Sequence, residues 1–478
     1  MKPVTCGQRR TQRGAAALVV ALVLVFGMAL VLVFANRGML FEQRSSANQY
    51  RATLAFELAE AGLEWAVARL NDDLFINSKC ASSGAAVTVA DPVTNSFRQR
   101  YLAPTVDTAG ARFVIASPAR ASCGVPNSGI DANGVPVPGE VNDCSCPASG
   151  TNPTLGSASG PRFTVEFRCH QGPDGNPVTC DGDPLTVEIV SFGCTNSGAP
   201  CDPGSTATPD GTAVVRSLFK VRPKFPNSPG AGLIAGSAAT LNTGTLHVIN
   251  LDVESNGITI NSGTSIALDA SVDVTTLPGT PRSASVLDND FALQQLTLAD
   301  TEGNLFFQSF FGESVAEYKA NPQTWLITGG SCGANTRCVS ANSDIGRGTA
   351  AMALFNKGIT QFWADQPVVF NNSNMPVGST FGTPERPISF AGSSSLELKG
   401  GVTAYGMFYV ATATADIDWN FTGAGSAKVY GSFVSRGNFL HASGSLDLIY
   451  DGNIFRKGEA TGLMVRVPGS WRDKLEPY

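Results

Sequence analysis

Residues 15–35 read AAALVVALVLVFGMALVLVFA, an apolar run without a single charge. At 1.5 Å per residue a helix of that length spans about 30 Å, the thickness of a bilayer's hydrocarbon core. The run is too long for the apolar region of a cleaved secretory signal, and no clean A-x-A site closes it. The leader before it contains Lys2, Arg9, Arg10 and Arg13 and no acid. The positive-inside bias holds such a leader in the cytoplasm, so the rest of the chain faces outward.

The helix has no reason to stop at the membrane. Residues 36–71 lack proline and hold only Gly38 and Gly62, so helix is expected to about Asn71. At 100° per residue, Leu40, Ala47, Tyr50, Leu54, Leu58, Ala61, Trp65 and Ala68 fall within an arc of roughly 80°. Glu42, Glu57, Glu60 and Glu64 flank one side of that stripe; Arg44, Arg51 and Arg69 flank the other. Phe56, Leu63, Val67 and Leu70 form a second apolar group nearly opposite. A helix with two apolar faces needs two things to bury them against, one of which lies outside its own domain.

Gln12-Arg13-Gly14 followed by Ala15-Ala16-Ala17-Leu18-Val19-Val20 resembles the class III leader of type IV pilins, and residues 54–63, LAFELAEAGL, resemble the "AF-AEA-L" segment of PilX-type minor pilins. The resemblance covers about residues 10–70. It implies cleavage by prepilin peptidase after Gly14, an N-methylated Ala15 as first mature residue, and a helix that sits in the inner membrane before assembly and in the filament core afterwards. One position departs from the pattern. Most pilins carry Glu at the fifth mature position, where it is thought to pair with a neighbouring subunit's N-terminal amine; here that position is Val19. PilX-type and K-type pseudopilin subunits are similar in lacking it, which fits a subunit of the tip or initiating complex better than a repeated shaft subunit.

The remainder of the 478 residues has 51 Gly, 28 Pro and only 15% charged side chains, a composition of short strands and many turns. The net charge of −6 becomes more acidic once the leader is removed, which argues against a nucleic-acid partner. Of eleven cysteines, Cys6 lies in the leader. Cys80, Cys123, Cys144, Cys146, Cys169, Cys180, Cys194, Cys201, Cys332 and Cys338 form an even set suited to disulfides in an oxidising compartment. A zinc site is the competing reading, but its usual CxxC pair is missing.

Strand-like runs occur at 85–90, 112–117, 163–169, 185–192 and 213–221. The last two read as a hairpin whose loop contains Cys194 and Cys201, and an antiparallel sheet with one face on a helix is the pilin head. Residues 224–232, KFPNSPGAG, read as an interdomain linker. Beyond it, Tyr405-Gly406-Met407-Phe408 recurs as Tyr430-Gly431-Ser432-Phe433 about 25 residues later, the spacing of a β-solenoid rung. An ordinary sandwich remains the alternative. Residues 303–321, with Phe306, Phe307, Phe310 and Phe311, read as an amphipathic helix that caps or staples the solenoid.

Signals of chemistry are weak. Gly329-Gly330-Ser331-Cys332-Gly333 matches G-x-S-x-G, but a poor helix start follows and Cys332 is placed to close a small loop with Cys338. His170, His247 and His441 show no ligand spacing. Asp269, Asp273, Asp288 and Asp290 would be the acids of a polysaccharide-active solenoid with calcium, if they converged in one groove.

The expected fold is α+β: a long N-terminal helix, transmembrane and then amphipathic, packed on an antiparallel β-sheet head, followed by a mostly β, solenoid-like domain. The divisions are a leader at 1–14, the helix at 15–72, a disulfide-rich head at 73–226 and the β-rich domain at 227–478. Val19 and its neighbours pack in the membrane segment, Leu54, Leu58 and Trp65 seat the head, and Phe56, Leu63 and Val67 face partner helices. The resemblance implies a minor pilin without enzymatic activity, cofactor or metal. It would cross the inner membrane once with its head in the periplasm, then join a pilus at the cell surface. Other minor pilins, the major pilin, a tip adhesin and prepilin peptidase are the implied partners. A membrane-anchored surface β-helix protein that binds or cleaves polysaccharide is the other reading.

Overall fold

A computed structural model describes residues 13–82, 95–107, 110–124, 143–154, 160–170, 180, 182–195, 201, 211–241, 245–298, 303–371, 373–375, 378–399, 401–411, 417–421 and 427–473. The expected strand at 85–90 lies outside them. The N-terminal helix is continuous from Arg13 to Leu70. Its second half lies on a six-stranded antiparallel sheet formed by Leu463–Arg466, Thr212–Arg222, Thr186–Cys194, Arg162–Cys169, Arg120–Gly124 and Asp143–Ser145, in that spatial order. The hairpin read from residues 185–192 and 213–221 is the centre of this sheet.

The first strand in that order comes from the far end of the chain. Leu463 stands opposite Arg222, so residues 223–462 are in effect the loop of a β-hairpin. The division at 227–478 therefore takes in one strand too many. Leu463–Arg466 belongs to the head sheet because it supplies the ladder bonds that the edge of Thr212–Arg222 needs. Ser470 fastens the tail below it: its hydroxyl lies 2.9 Å from the Ser217 hydroxyl and accepts the Leu218 N–H at 3.1 Å.

Within the insertion every strand pairing in the stack is parallel, and successive coils lie in register, which is not a sandwich. The first coil is Leu233–Ala235, Ala239–Leu241 and Thr245–Asn250; the second, Ile260–Ser262, Ile266–Leu268 and Val272–Thr275, stacks on it strand by strand. Val286–Leu287 begins a third. Helices Phe291–Leu298, Asn304–Phe311 and Val315–Ala320 then carry the chain along the outside. The coils resume at Thr324–Thr328 and stack through Gln361–Ala364, Ile388–Gly392, Thr403–Val410 and Ala427–Ser435. The last turn, ending in Phe439–Tyr450, docks on the first coil, with Phe433 beside Leu233, Phe439 beside Ala239 and Leu446 beside Leu246. The stack thus begins and ends in its own middle, and entry and exit are neighbours. That adjacency lets it hang from one hairpin.

An interior ladder runs through the stack in register: Phe362, Phe390, Phe408, Phe433, Leu233 and Ile260, all buried. Full burial of each such side chain stabilises the fold by about 1.5–3 kcal/mol. The repeated Tyr-Gly-x-Phe marks one corner. Tyr405 and Tyr430 stack outside at 4.8 Å, while Phe408 and Phe433 stack inside at 5.4 Å. Gly431 has φ +137°, and a Cβ there would meet the Gly406 carbonyl oxygen at 1.9 Å, so the corner requires glycine. The phenylalanine-rich segment does staple the stack. Phe306, Phe307, Phe310, Phe311 and Tyr318 cover Trp363, Ala391, Tyr409, Val434 and Ile234 on one outer face.

A buried polar joint ties helix, head and insertion together. Asn71 reads Met464 as a strand neighbour would, donating to its carbonyl at 3.0 Å and accepting its N–H at 2.7 Å. Arg98 caps the helix through the Leu70 carbonyl at 2.7 Å and also donates to the Gly462 carbonyl. Gln323 donates to Asp73 at 3.1 Å and to the Thr461 carbonyl at 3.2 Å. Lys224 is buried with its ammonium donating to Thr360 at 2.8 Å; desolvation, only partly offset by Asp73, pulls its pKa from 10.5 down to about 8. Between those two values the unfolded chain holds more protons than the folded one, so stability should rise with pH through that window. Denaturant titrations at pH 7.5, 9 and 10.5 check this, and Lys224→Met should flatten the rise.

Candidate assembly surface

The helix offers two surfaces at its two ends. Residues Ala16–Phe34 have a mean hydropathy of 3.2 and no cover. Val19 is 60% exposed within this segment. Gly14 and Ala15 fall in the helix's first turn; their side chains lie outside the described residues. A run this long and apolar, left bare in water, requires lipid or other helices around it.

At the other end the contact with the head is made by small residues. Ala55, Ala59 and Ala66 are fully buried, at a spacing that keeps them on one helix face with Gly62. Opposite them the sheet also gives way: a Cβ on Gly193 would meet the Ala55 carbonyl oxygen at 2.0 Å, and one on Gly62 would meet the Ser191 hydroxyl at 2.4 Å. Backbone approaches backbone because neither side carries bulk there. Leu63 and Leu70 are buried beside this seam, and Phe56 and Val67 pack at its edge.

This reverses part of the expected division of faces. Phe56, Leu63 and Val67, expected to face partners, pack on the chain's own head. Leu54 and Leu58, expected to seat the head, stay only partly covered, while Tyr50, Ala61 and Ala68 on the same stripe are exposed. Trp65 does join the head core, edge-on to Phe97 at 5.3 Å and tilted against Phe163 at 5.4 Å. A close helix–sheet seam selects small residues, so the stripe rich in large apolar side chains is not the one that seats the head. The alternation Ala55, Ala59, Gly62, Ala66 was the available signal. Nothing in the sequence pointed to Asn71, Arg98 or Gly193.

Against known proteins, the PilX N-terminal family profile matches residues 13–64. Over those residues the chain is similar to the PilX N-terminal domain. The match lies within the N-terminal helix, Arg13–Leu70. No curated protein matches the chain. Among solved structures, the competence-associated pilin ComZ from Thermus thermophilus aligns over 90% of this chain and 98% of its own, at 12% identity and a TM-score of 0.21, which carries no structural argument.

All ten cysteines outside the leader are paired, as Cys80–Cys146, Cys123–Cys144, Cys169–Cys180, Cys194–Cys201 and Cys332–Cys338. Cys80, Cys123 and Cys144 bring their sulfurs within 4.8 Å of one another, the one such donor group among the described residues. Since all three are in disulfides, they offer no thiolate to zinc. Ser331 sits just before the small loop closed by Cys332–Cys338, between strands Thr324–Thr328 and Cys338–Ser340 and without a following helix, so it is not a nucleophile elbow. His247 pairs with Asp447 at 3.0 Å on an outer face. His170 follows the strand Arg162–Cys169 and is half-buried, and the side chain of His441 lies outside the described residues.

The four aspartates do not converge. Asp269 accepts the Ser271 N–H at 2.9 Å in a tight turn, a bond that holds its pKa below the usual range. Asp290 begins the helix Phe291–Leu298 by accepting from Ala292 and Leu293 and also takes a hydrogen bond from Asn261. Asp273 and Asp288 are exposed.

The helix seam yields a clear contrast. Leu63→Ala, made at the seam, should lower stability by about 3 kcal/mol, whereas Tyr50→Ala, at a residue 69% exposed, should change it by less than about 0.5 kcal/mol. Denaturant unfolding of the detergent-solubilised chain, followed by far-ultraviolet circular dichroism, measures both.

Proposed function

We propose that the chain is a minor pilin of the PilX type that takes part in type IV pilus assembly in the initiating or tip complex. The observation that carries this reading is the two-part helix. One half, Ala16–Phe34, is apolar and bare, and the other is welded to its own sheet by small residues, leaving Tyr50, Ala61 and Ala68 facing outward with Leu54 and Leu58 half-covered beside them. A plain anchor has no use for that outward stripe. A subunit that must leave the bilayer and pack among other helices does.

In this account prepilin peptidase cuts after Gly14 and Ala15 becomes the N-methylated terminus. The helix holds the protein in the inner membrane with its head in the periplasm, and later lies in the filament core beside other minor pilins and the major pilin. Val19 in place of the usual glutamate removes the carboxylate that would register the subunit on one already in a fibre, which suits an initiating position. The insertion is a β-solenoid of stacked parallel coils. Its bulk, planted on one hairpin of the head, would crowd a repeated shaft but not an end, where it could meet a tip adhesin or a surface. Packing rather than catalysis does the work in every one of these steps.

Mass spectrometry of the protein's N-terminus, from membranes and from sheared pili, tests the proposal. A start at N-methyl-Ala15 in the pilus fraction is expected. An intact Met1, or absence from sheared pili, would leave a membrane-anchored surface solenoid instead.

A further inference from the structure

Where the linker leaves the head, a cavity of about 490 Å³ opens between head and insertion. Ser228 of the linker, Asp252 and Glu254 of the turn after the first coil, and Tyr450, Arg456 and Glu459 of the returning segment build its walls. Three carboxylates therefore line one concavity, although none of them is among the aspartates that sequence reasoning selected.

The groups in this wall divide into fixed and free. Asp252 is fixed: one carboxylate oxygen accepts the N–H groups of Glu254 at 2.8 Å and Ser255 at 3.3 Å, and the other accepts that of Gly452 at 3.1 Å. Arg456 is held between Glu254, with which it is ion-paired, and the Asn453 side chain at 2.9 Å. Glu459 makes no ion pair or hydrogen bond among the described residues, and partial burial pushes its carboxyl above the usual range, with Arg456 acting against that shift. Tyr450 is only 7% exposed, and its ring stacks on Phe455 at 5.6 Å. Its hydroxyl has no hydrogen-bond partner among the described residues although it belongs to the cavity wall. A hydroxyl that faces the cavity without a protein partner is free both to donate to and to accept from a bound molecule.

The chemistry of the wall selects among ligands. An anion meets three carboxylates and one guanidinium already committed to Glu254. A divalent cation needs six or more oxygens around one point at 2.3–2.6 Å, and no three carboxylates of this wall bring oxygens within 4.8 Å of one another. A neutral molecule bearing many hydroxyls, each both donor and acceptor, matches the free Glu459 carboxylate beside the Tyr450 phenol. The volume lies within the range of small-molecule sites. We infer that this cavity binds a neutral polyhydroxylated ligand, a saccharide of one or two rings, through Glu459 and the Tyr450 hydroxyl. Such a ligand would touch both the linker and the returning segment and so would bridge head and insertion. The inference stands apart from the pilin reading, since the cavity is the same whether or not the leader is cut.

The test is saturation-transfer NMR on the full chain in lauryldimethylamine oxide, a detergent without a sugar headgroup, against glucose, galactose, mannose, their N-acetylamino forms and the corresponding disaccharides. At least one is expected to bind, and Tyr450→Phe and Glu459→Gln should each weaken it by about tenfold. Tyr450→Phe should leave the melting temperature unchanged because its hydroxyl holds nothing inside the protein, and Asp273→Asn, outside the cavity, should leave binding unchanged. Absence of any sugar signal at millimolar concentration would overturn the inference, as would binding indifferent to both substitutions. Calcium binding abolished by Glu459→Gln would also overturn it, in favour of a cation site.

Discussion

Backbone-to-backbone contact between the N-terminal helix and the strand Thr186–Cys194 sets the rest of the architecture. Gly193 lies under the Ala55 carbonyl and Gly62 lies over Ser191, so helix and sheet approach more closely than side chains of ordinary size allow. That closeness consumes the small-residue face of the helix and decides which stripe is left over. Leu63, Phe56 and Val67 wrap the edge of the seam, while Tyr50, Ala61 and Ala68 are turned outward by the same rotation and Leu54 and Leu58 are left half-covered. The outward stripe is thus a consequence of inward packing, and it continues the line of the bare membrane segment.

The insertion depends on a second constraint, that a hairpin can hold a large loop only if the loop's two ends lie side by side. A simple solenoid puts its ends far apart. Here the first coil and the last turn stack on each other, offset through Leu233 with Phe433 and Leu246 with Leu446, so entry and exit meet at the head. The helices Asn304–Phe311 and Val315–Ala320 make this possible by carrying the chain back along one face, where their phenylalanines replace solvent over Trp363 and Tyr409. The joint below, with Arg98, Gln323 and Lys224 buried, Asn71 half-buried, and all four bonded across it, holds the two units in one orientation.

Local features were legible in the sequence because they are local. The proline-free helix, the hairpin around Cys194 and Cys201, the phenylalanine-rich staple and the Tyr-Gly-x-Phe corner all declare themselves within a few dozen residues. The coil count did not, since coil length varies: Gln361 stacks on Ser389, but Ile388 stacks on Gly406 after a much shorter circuit. The return strand Leu463–Arg466 and the docking of the last turn on the first are pairings between distant segments, and nothing near them in sequence announces the partner. The helix face was misjudged for a different reason. Hydrophobic periodicity weighs large residues most, and at this seam glycine and alanine carry the contact. The cavity beneath Tyr450 was invisible for the same reason as the return strand, because Asp252 and Glu459 meet only once the stack has closed.

The central claim is that the stripe opposite the seam is the surface on which this helix meets other subunits. Replacing single residues by the photo-crosslinking amino acid p-benzoylphenylalanine in piliated cells tests it most directly. Illumination with the crosslinker at Leu58 or Ala61 should join the chain to another pilin subunit. At Leu63, where the side chain is buried in the chain's own head, intermolecular product should be missing. Crosslinks from Leu63 to another subunit, or none from Leu58 and Ala61 in a protein that reaches the pilus, would contradict the account.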